Sequence, residues 1–120
     1  MKWIIALALT ITTSTAALSE TARDLYNRCA ANDPNCNSYL LGAATIMVFL
    51  GKAFQDKDLR PTTESYSVFA ICPGKSPVNG EVLRHVFMAW MDRHPDRAVD
   101  NIGATALDAL TEAWPCENSN

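Results

Sequence analysis

Residues 37–54 read NSYLLGAATIMVFLGKAF, and this stretch decides the fold. It is apolar nearly all round, and Gly42 with the two alanines after it forms a face that a neighbouring helix can approach closely. A helix that is hydrophobic on every side belongs at the centre of a bundle. Asn37 or Ser38 can cap its amino end. Since the stretch is shorter than the roughly 20 residues that span a membrane, we predict a central helix of a bundle.

Three further helices are predicted around this one. Leu25, Tyr26 and Cys29 share one face of a short first helix. Two later stretches repeat apolar residues at spacings of three or four, which is the period of an amphipathic helix. The first repeat consists of Val82, Leu83, Val86, Phe87 and Trp90, and the second of Val99, Ile102, Ala106, Leu110 and Trp114.

Prolines mark the limits of these last two helices. Ser76-Pro77 is typical of a helix start, since it supplies a capping hydroxyl followed by proline at the first helical position. His94-Pro95 breaks the chain between the two helices, Pro95 can open the last one, and Pro115 ends it. With no convincing strand pattern, we predict an all-α fold, a small disulfide-linked bundle of four main helices.

The first 19 residues have the pattern of a signal peptide. Lys2 gives a short positive start, an uncharged apolar run follows, and Ala17-Leu18-Ser19 fits the small-x-small rule for cleavage. We place the cut after Ser19, with a cut after Ala17 as the alternative. Residues 1–19 are then a signal peptide and residues 20–120 a single domain, exported to the periplasm and free of the membrane after cleavage.

The charge of the mature chain argues against two classes of partner. Without Lys2, nine basic and thirteen acidic side chains remain, for a net charge of −4. The sequence contains no run of Lys and Arg, and no aromatic residues interleaved with cations. Nucleic acids and anionic lipids are therefore poor partners. An acidic surface suits a basic protein partner instead.

Four cysteines remain after export, namely Cys29, Cys36, Cys72 and Cys116. An even count in a small exported domain indicates disulfide bonds, because that compartment oxidises thiols. Four cysteines allow three connectivities. We favour Cys29–Cys36, because the turn between them can bring its ends together, and this choice leaves Cys72–Cys116. The second bond would attach the end of the last helix to the middle of the chain.

The sequence contains no pattern that indicates catalysis. His85 follows Glu81 by one helical turn, and His94 lies at a helix end, so both are read as structural side chains and neither as a metal ligand. No metal-ligand spacing, CxxC pair, nucleophile motif or phosphate-binding glycine pattern is present. Trp90 and Trp114 lie on apolar stripes, which favours core packing over a binding cage. We expect a protein that is not an enzyme and needs no cofactor or metal.

One polar segment, QDKDLRPTTESYS at residues 55–67, is predicted to be a surface loop. Small binding proteins usually place their contacts on loops that a rigid scaffold holds. We therefore predict that this loop binds a partner, with its acidic side chains complementing a basic rim. The candidate binding residues are Asp56, Lys57, Asp58, Arg60, Glu64 and Tyr66.

Four short motifs, in order along the mature chain, resemble the Rap/Tai family of type VI secretion amidase immunity proteins. The family pattern consists of a YLxG helix, a Cys-Pro turn, a helix that ends in His-Pro, and a last helix that ends in aromatic-Pro-Cys. Here the matching elements are Tyr39-Leu40-x-Gly42, Cys72-Pro73, His94-Pro95 and Trp114-Pro115-Cys116. Together they cover the chain from Cys29 to Cys116.

The resemblance implies a periplasmic helical protein that binds a peptidoglycan-cleaving amidase toxin and blocks its active-site cleft. It also implies that the protein can form a homodimer. Two other classes stay open on the residues alone. One is a periplasmic chaperone or stress protein, and the other is an inhibitor of a different wall-degrading enzyme, such as a lysozyme.

Overall fold

The computed structural model describes residues 20–56 and 69–116. Within these ranges the chain forms four α-helices and one 3₁₀ segment, so the predicted all-α fold is confirmed. The predicted signal peptide lies outside the described residues. In chain order the helices are α1 (Ala22–Ala30), α2 (Pro34–Gln55), α3 (Gly80–Arg93) and α4 (Ile102–Ala113), with the 3₁₀ segment Pro95–Val99 between the last two.

Helix α1 begins with a reciprocal cap. The Thr21 hydroxyl accepts a hydrogen bond from the Asp24 backbone N–H, and the Asp24 carboxylate accepts one from the Thr21 N–H at 3.0 Å. The hydrogen bonds from Thr21 hold the pKa of Asp24 below its ordinary value, because they stabilise the ionised carboxylate. This capping box fixes the N-terminus of the helix that contains DLYNRC.

Helix α2 begins earlier than predicted. It starts at Pro34, and the Asp33 carboxylate caps it by accepting the Asn35 N–H at 2.9 Å. The prediction that Asn37 or Ser38 caps the helix is wrong, because aspartate followed by proline is the stronger start signal. The helix is 22 residues long, so it is long and apolar enough to cross a membrane by length and composition. The prediction that it falls short of a membrane span is therefore also wrong.

The starts of the two later helices also differ from prediction. Helix α3 begins at Gly80, where the Asn79 side chain accepts the Val82 N–H at 3.0 Å, so Ser76-Pro77 lies in the preceding loop. Pro95 opens only the 3₁₀ segment, and α4 begins after an Asn101 cap. In both cases an asparagine nearer the apolar repeat supplies the acceptor that the first turn needs.

The core lies where α2 and α4 pack on α3, and α1 contacts all three of these helices. Trp90 is buried and Trp114 packs against the core from its edge, as expected. The fully buried larger side chains come from every helix and from the segment after residue 69; they are Leu25, Leu40, Ile71, Leu83, Phe87 and Leu110.

Two disulfide bonds hold the bundle, and their pairing is the one that the sequence favours. Cys29 pairs with Cys36, joining the end of α1 to the start of α2. Cys72 pairs with Cys116, joining the segment before α3 to the residues after α4. The second bond attaches the residues after α4 to the middle of the chain.

Candidate partner-binding surface

Helix α2 buries only one of its faces. Leu40, Ala44 and Met47 face the core, whereas on the opposite side Ile46 is 64% and Phe49 70% exposed. The prediction of a helix buried all round is therefore wrong, because the other helices of the described residues pack on one of its faces. Unlike scattered exposed apolar residues, a row of them on one helix marks an interaction site. We call this row, Leu41, Gly42, Thr45, Ile46 and Phe49, the α2 strip.

A groove runs beside the α2 strip, between α2 and α4. Its volume is about 490 Å³. The α2 side is lined by Tyr39, Ala43 and Met47, the α4 side includes Ala104 and Leu107, and Phe69 lies at the groove as well. Partial burial raises the pKa of Tyr39. The groove and the strip together form a largely uncharged surface that suits an apolar partner.

Of the predicted binding loop, the structure describes only the first candidate residue, Asp56. Asp56 is exposed and is the residue at which α2 ends, with its N–H donating to the Lys52 carbonyl at 3.0 Å. The described chain resumes at Phe69, on the groove. The other five candidate residues, Lys57, Asp58, Arg60, Glu64 and Tyr66, lie outside the described residues, so their role stays a prediction.

Sequence reasoning missed the α2 strip. The stretch LLGAATIMVF is apolar on every face of the helix, and the described residues cover only one of these faces. A helix that is hydrophobic all round predicts burial. The sequence pattern alone does not show which face the neighbouring helices leave exposed.

A second, smaller cleft lies on the side of α1. Its volume is about 360 Å³, and Arg23, Tyr26, Met91 and Asp92 are among the side chains that line it. The Tyr26 hydroxyl donates to the Asp92 carboxylate at 2.7 Å, and this bond raises the pKa of the tyrosine. The hydrogen bond joins α1 to α3.

Trp90 lies at the centre of a polar network between α3 and α4. Its indole N–H donates to Glu112 at 2.8 Å, and the Arg93 guanidinium donates to the same carboxylate at 2.9 Å. The His94 ring stacks on the indole with ring centroids 4.1 Å apart, and Arg97 lies over it at 5.4 Å. These contacts pack His94 against Trp90 at the end of α3.

The same contacts lower the pKa of Glu112, with Arg93 the larger cause and Trp90 the next. We expect Trp90→Phe to raise the pKa of Glu112 toward the ordinary value of 4.5, because the indole donor is lost while the packing is largely kept. Since Glu112 stabilises the folded state when ionised, that stability is present above pH 4.5 and is lost as the pH falls through the lower folded pKa. The variant should lose part of this pH dependence.

Carboxyl NMR titration of the wild type and the variant checks this expectation. Glu81 is the internal control, because its pKa is also lowered but by Arg84, on another part of α3. An unchanged Glu112 pKa in Trp90→Phe would show that the indole does not act on this carboxylate.

Among residues 20–56 and 69–116, no group of three or more potential metal ligands lies close together. His85 meets Glu81 at 3.1 Å on the exposed face of α3, which is the surface pairing that the spacing predicts.

The fold and these surfaces define a class of protein: a small all-α domain held by two disulfides, with an apolar face on its longest helix. The sequence model of the family described as Rap1a immunity proteins matches residues 21–116, and the chain belongs to that family. It is thus an immunity protein, which binds and counteracts a secreted effector, and membership implies a non-catalytic inhibitor. No curated protein and no solved structure matches the chain.

Proposed function

We propose that the mature chain is a periplasmic immunity protein that inhibits a type VI secretion peptidoglycan amidase by occluding its active-site cleft. The observation that carries the proposal is the family match over residues 21–116, which includes all four motifs and all four cysteines. The two disulfides favour an oxidising compartment, and so does the signal-peptide pattern. In that compartment an injected amidase would reach its substrate, the cell wall.

An inhibitor that occludes an active-site cleft needs a rigid binding surface and no reactive groups. A binding segment that is already ordered loses less conformational entropy when it meets its partner. Here the candidate loop leaves α2 at Asp56 and returns just before the segment that Cys72 fixes. We propose that residues 56–66 enter the amidase cleft, and that their carboxylates face a basic rim on the toxin.

The direct experiment is an inhibition assay with purified mature protein. We expect it, at an equimolar ratio, to abolish the release of peptides from peptidoglycan by a candidate type VI secretion amidase. A muramidase assay run in parallel separates this function from inhibition of a lysozyme. If the muramidase is inhibited and the amidase is not, the amidase proposal is wrong and the lysozyme-inhibitor alternative replaces it.

Reversing two loop charges is expected to weaken the complex. Asp58→Lys combined with Glu64→Lys should raise the Kd for the amidase at least tenfold, mainly through the association rate, because charge complementarity at a rim steers encounter. Calorimetry and stopped-flow mixing measure the two quantities. The control is Asp96→Lys, which adds a positive charge at an exposed site on the 3₁₀ segment. Equal Kd values for the loop variant and the wild type would refute the loop assignment.

A periplasmic chaperone is the second candidate, and the exposed Ile46 and Phe49 favour it. Chaperones of that kind present apolar surface to unfolding clients. Light scattering of an acid-treated client, with and without the protein, decides between the two. Suppressed scattering together with no effect on the amidase would favour the chaperone.

The resemblance also implies a homodimer. We propose that the mature chain pairs with a second copy and that it binds the amidase in this form.

A further inference from the structure

We infer that the Cys72–Cys116 disulfide is a thiol–disulfide exchange site, and that a dithiol oxidoreductase opens and closes it in the folded protein. The Cys29–Cys36 disulfide is closed to the same reagent. Three features of the molecule support this assignment: the difference in exposure between the two bonds, a groove at Cys72, and the charge in that groove.

The two disulfides differ in their access to solvent. Cys29 and Cys36 are fully buried and belong to the hydrophobic core. Cys72 and Cys116 are both partly exposed. The rate of thiol–disulfide exchange depends on whether the attacking thiolate can reach a sulfur atom. An incoming thiol can therefore reach the second bond in the folded protein, whereas it reaches the first only after the helices separate.

A groove beside the second bond gives a path for the attacking thiol. We call it the Cys72 groove, and its volume is about 340 Å³. Val48 and Lys52 of α2 line it, together with Cys72 and Gly74 of the segment before α3. Cys116 is not among the lining residues. A thiol that enters the groove therefore approaches the sulfur of Cys72 and leaves Cys116 as the departing group.

The charge in the Cys72 groove suits a thiolate. Lys52 is exposed, and among the described residues that line the groove it is the only charged one. The attacking species in disulfide exchange is the thiolate anion and not the neutral thiol. A positive charge with no carboxylate beside it in the described lining attracts that anion and raises its local concentration.

The exchange proceeds in two balanced steps. One thiolate of the reagent attacks Cys72 Sγ, so a mixed disulfide forms and the bond to Cys116 breaks, with its electron pair leaving on the Cys116 sulfur. The second thiolate of the reagent then attacks the reagent's own first sulfur and releases Cys72. In sum, one dithiol is oxidised to a disulfide, and Cys72 and Cys116 are reduced to two thiols. The reverse reaction, with an oxidised reagent, closes the bond.

Opening this bond frees one side more than the other. Cys116 lies just beyond the end of α4, so its segment can swing away once the bond is broken. The Cys72 side stays attached to α2, because the Ile71 N–H donates to the Met47 carbonyl at 3.1 Å. Reduction therefore releases the residues after α4 while the helices remain packed.

The test treats the folded mature protein, with both disulfides formed, with dithiothreitol and follows each cysteine by alkylation and peptide mass spectrometry. We expect Cys72 and Cys116 to be labelled at least tenfold faster than Cys29 and Cys36. The control is the same reaction in urea, where access is equal and the rates should agree within about threefold. Equal rates in the folded protein, or an equally large ratio in urea, would overturn the inference.

Glutathione, which has a single thiol, tests the direction of attack. After quenching with an alkylating reagent, we expect glutathione on Cys72 and the alkyl label on Cys116. The opposite distribution would overturn attack from the Cys72 groove.

The contribution of the groove's charge has its own variant. Lys52→Gln should slow the reaction with glutathione about threefold at low ionic strength, because the attraction of the thiolate is lost. The matched control is Arg23→Gln, which removes a positive charge from an exposed site on α1. A Lys52→Gln rate equal to that of the wild type, or equal slowing in both variants, would overturn the role of Lys52. All these measurements use the isolated protein, so their failure is distinct from a failure to inhibit the amidase.

Discussion

Gly51→Ala is expected to destabilise the folded protein by about 3 kcal/mol or more, which is the upper end of the cost of overpacking a core. The added Cβ would lie 1.9 Å from the Ile71 carbonyl oxygen and 2.9 Å from its carbon. Both are backbone atoms, so no side chain can rotate away to relieve the overlap. Either α2 or the segment that carries Ile71 must move.

The segment has little freedom to move. The Ile71 N–H donates to the Met47 carbonyl at 3.1 Å, and the Cys72 N–H donates to the Trp114 carbonyl at 3.0 Å. Cys72 is in addition bonded to Cys116. Displacing the segment would therefore break the hydrogen bonds that the N–H groups of Ile71 and Cys72 donate. It would also strain the Cys72–Cys116 disulfide.

Gly42→Ala is the matched control for this prediction, because Gly42 lies in the same helix with open space around it. Glycine inside a helix costs roughly 0.5–1 kcal/mol relative to alanine, so this variant should gain about that amount. Urea unfolding in dilute protein, where dimers are negligible, measures both variants. Similar midpoints for the two variants would show that the close approach at Gly51 does not hold the fold.

The sequence predicts the features of this fold that depend on residues close together in the chain better than those that depend on distant residues. The helices were predictable because their apolar repeats and their prolines act within a few residues of each other. The starts of α2 and α3 were misplaced, because several polar residues near each start could serve as the cap and only one does so. Local signals therefore predict which helices form more reliably than the residue at which each begins.

Long-range contacts were less predictable. The groove requires α2, α4 and Phe69 to meet, and no local pattern brings together segments so far apart in the sequence. Gly51 gave a partial signal, since an isolated glycine in an apolar helix often marks a close backbone approach. The sequence could not name Ile71 as the group that approaches it. The disulfides were predictable because an exported chain with four cysteines permits only three pairings.

Removing the Cys72–Cys116 bond is expected to cost about 4 kcal/mol of the free energy of unfolding, against about 2.5 kcal/mol for Cys29–Cys36. In the chain-entropy model the cost grows with the length of the closed loop. The two sequence separations are 44 and 7 residues. Since small domains have a total stability of about 5–15 kcal/mol, the first loss is a large part of the whole.

The comparison uses Cys72→Ala with Cys116→Ala, and Cys29→Ala with Cys36→Ala. Alanine avoids placing a serine hydroxyl at Cys29 and Cys36, which are fully buried. Equilibrium unfolding in urea gives both free energies, with the wild type in reductant as a further reference.

The order of the two costs matters because the loop closed by Cys72 and Cys116 contains α3 and α4, the two helices that complete the core around α2. Without this bond the unfolded chain gains the most freedom, and the segment against Gly51 loses its attachment to the chain end. If the short-loop variant is the less stable of the two, burial at Cys29 and Cys36 outweighs loop entropy, and the role assigned to the last cysteine is wrong.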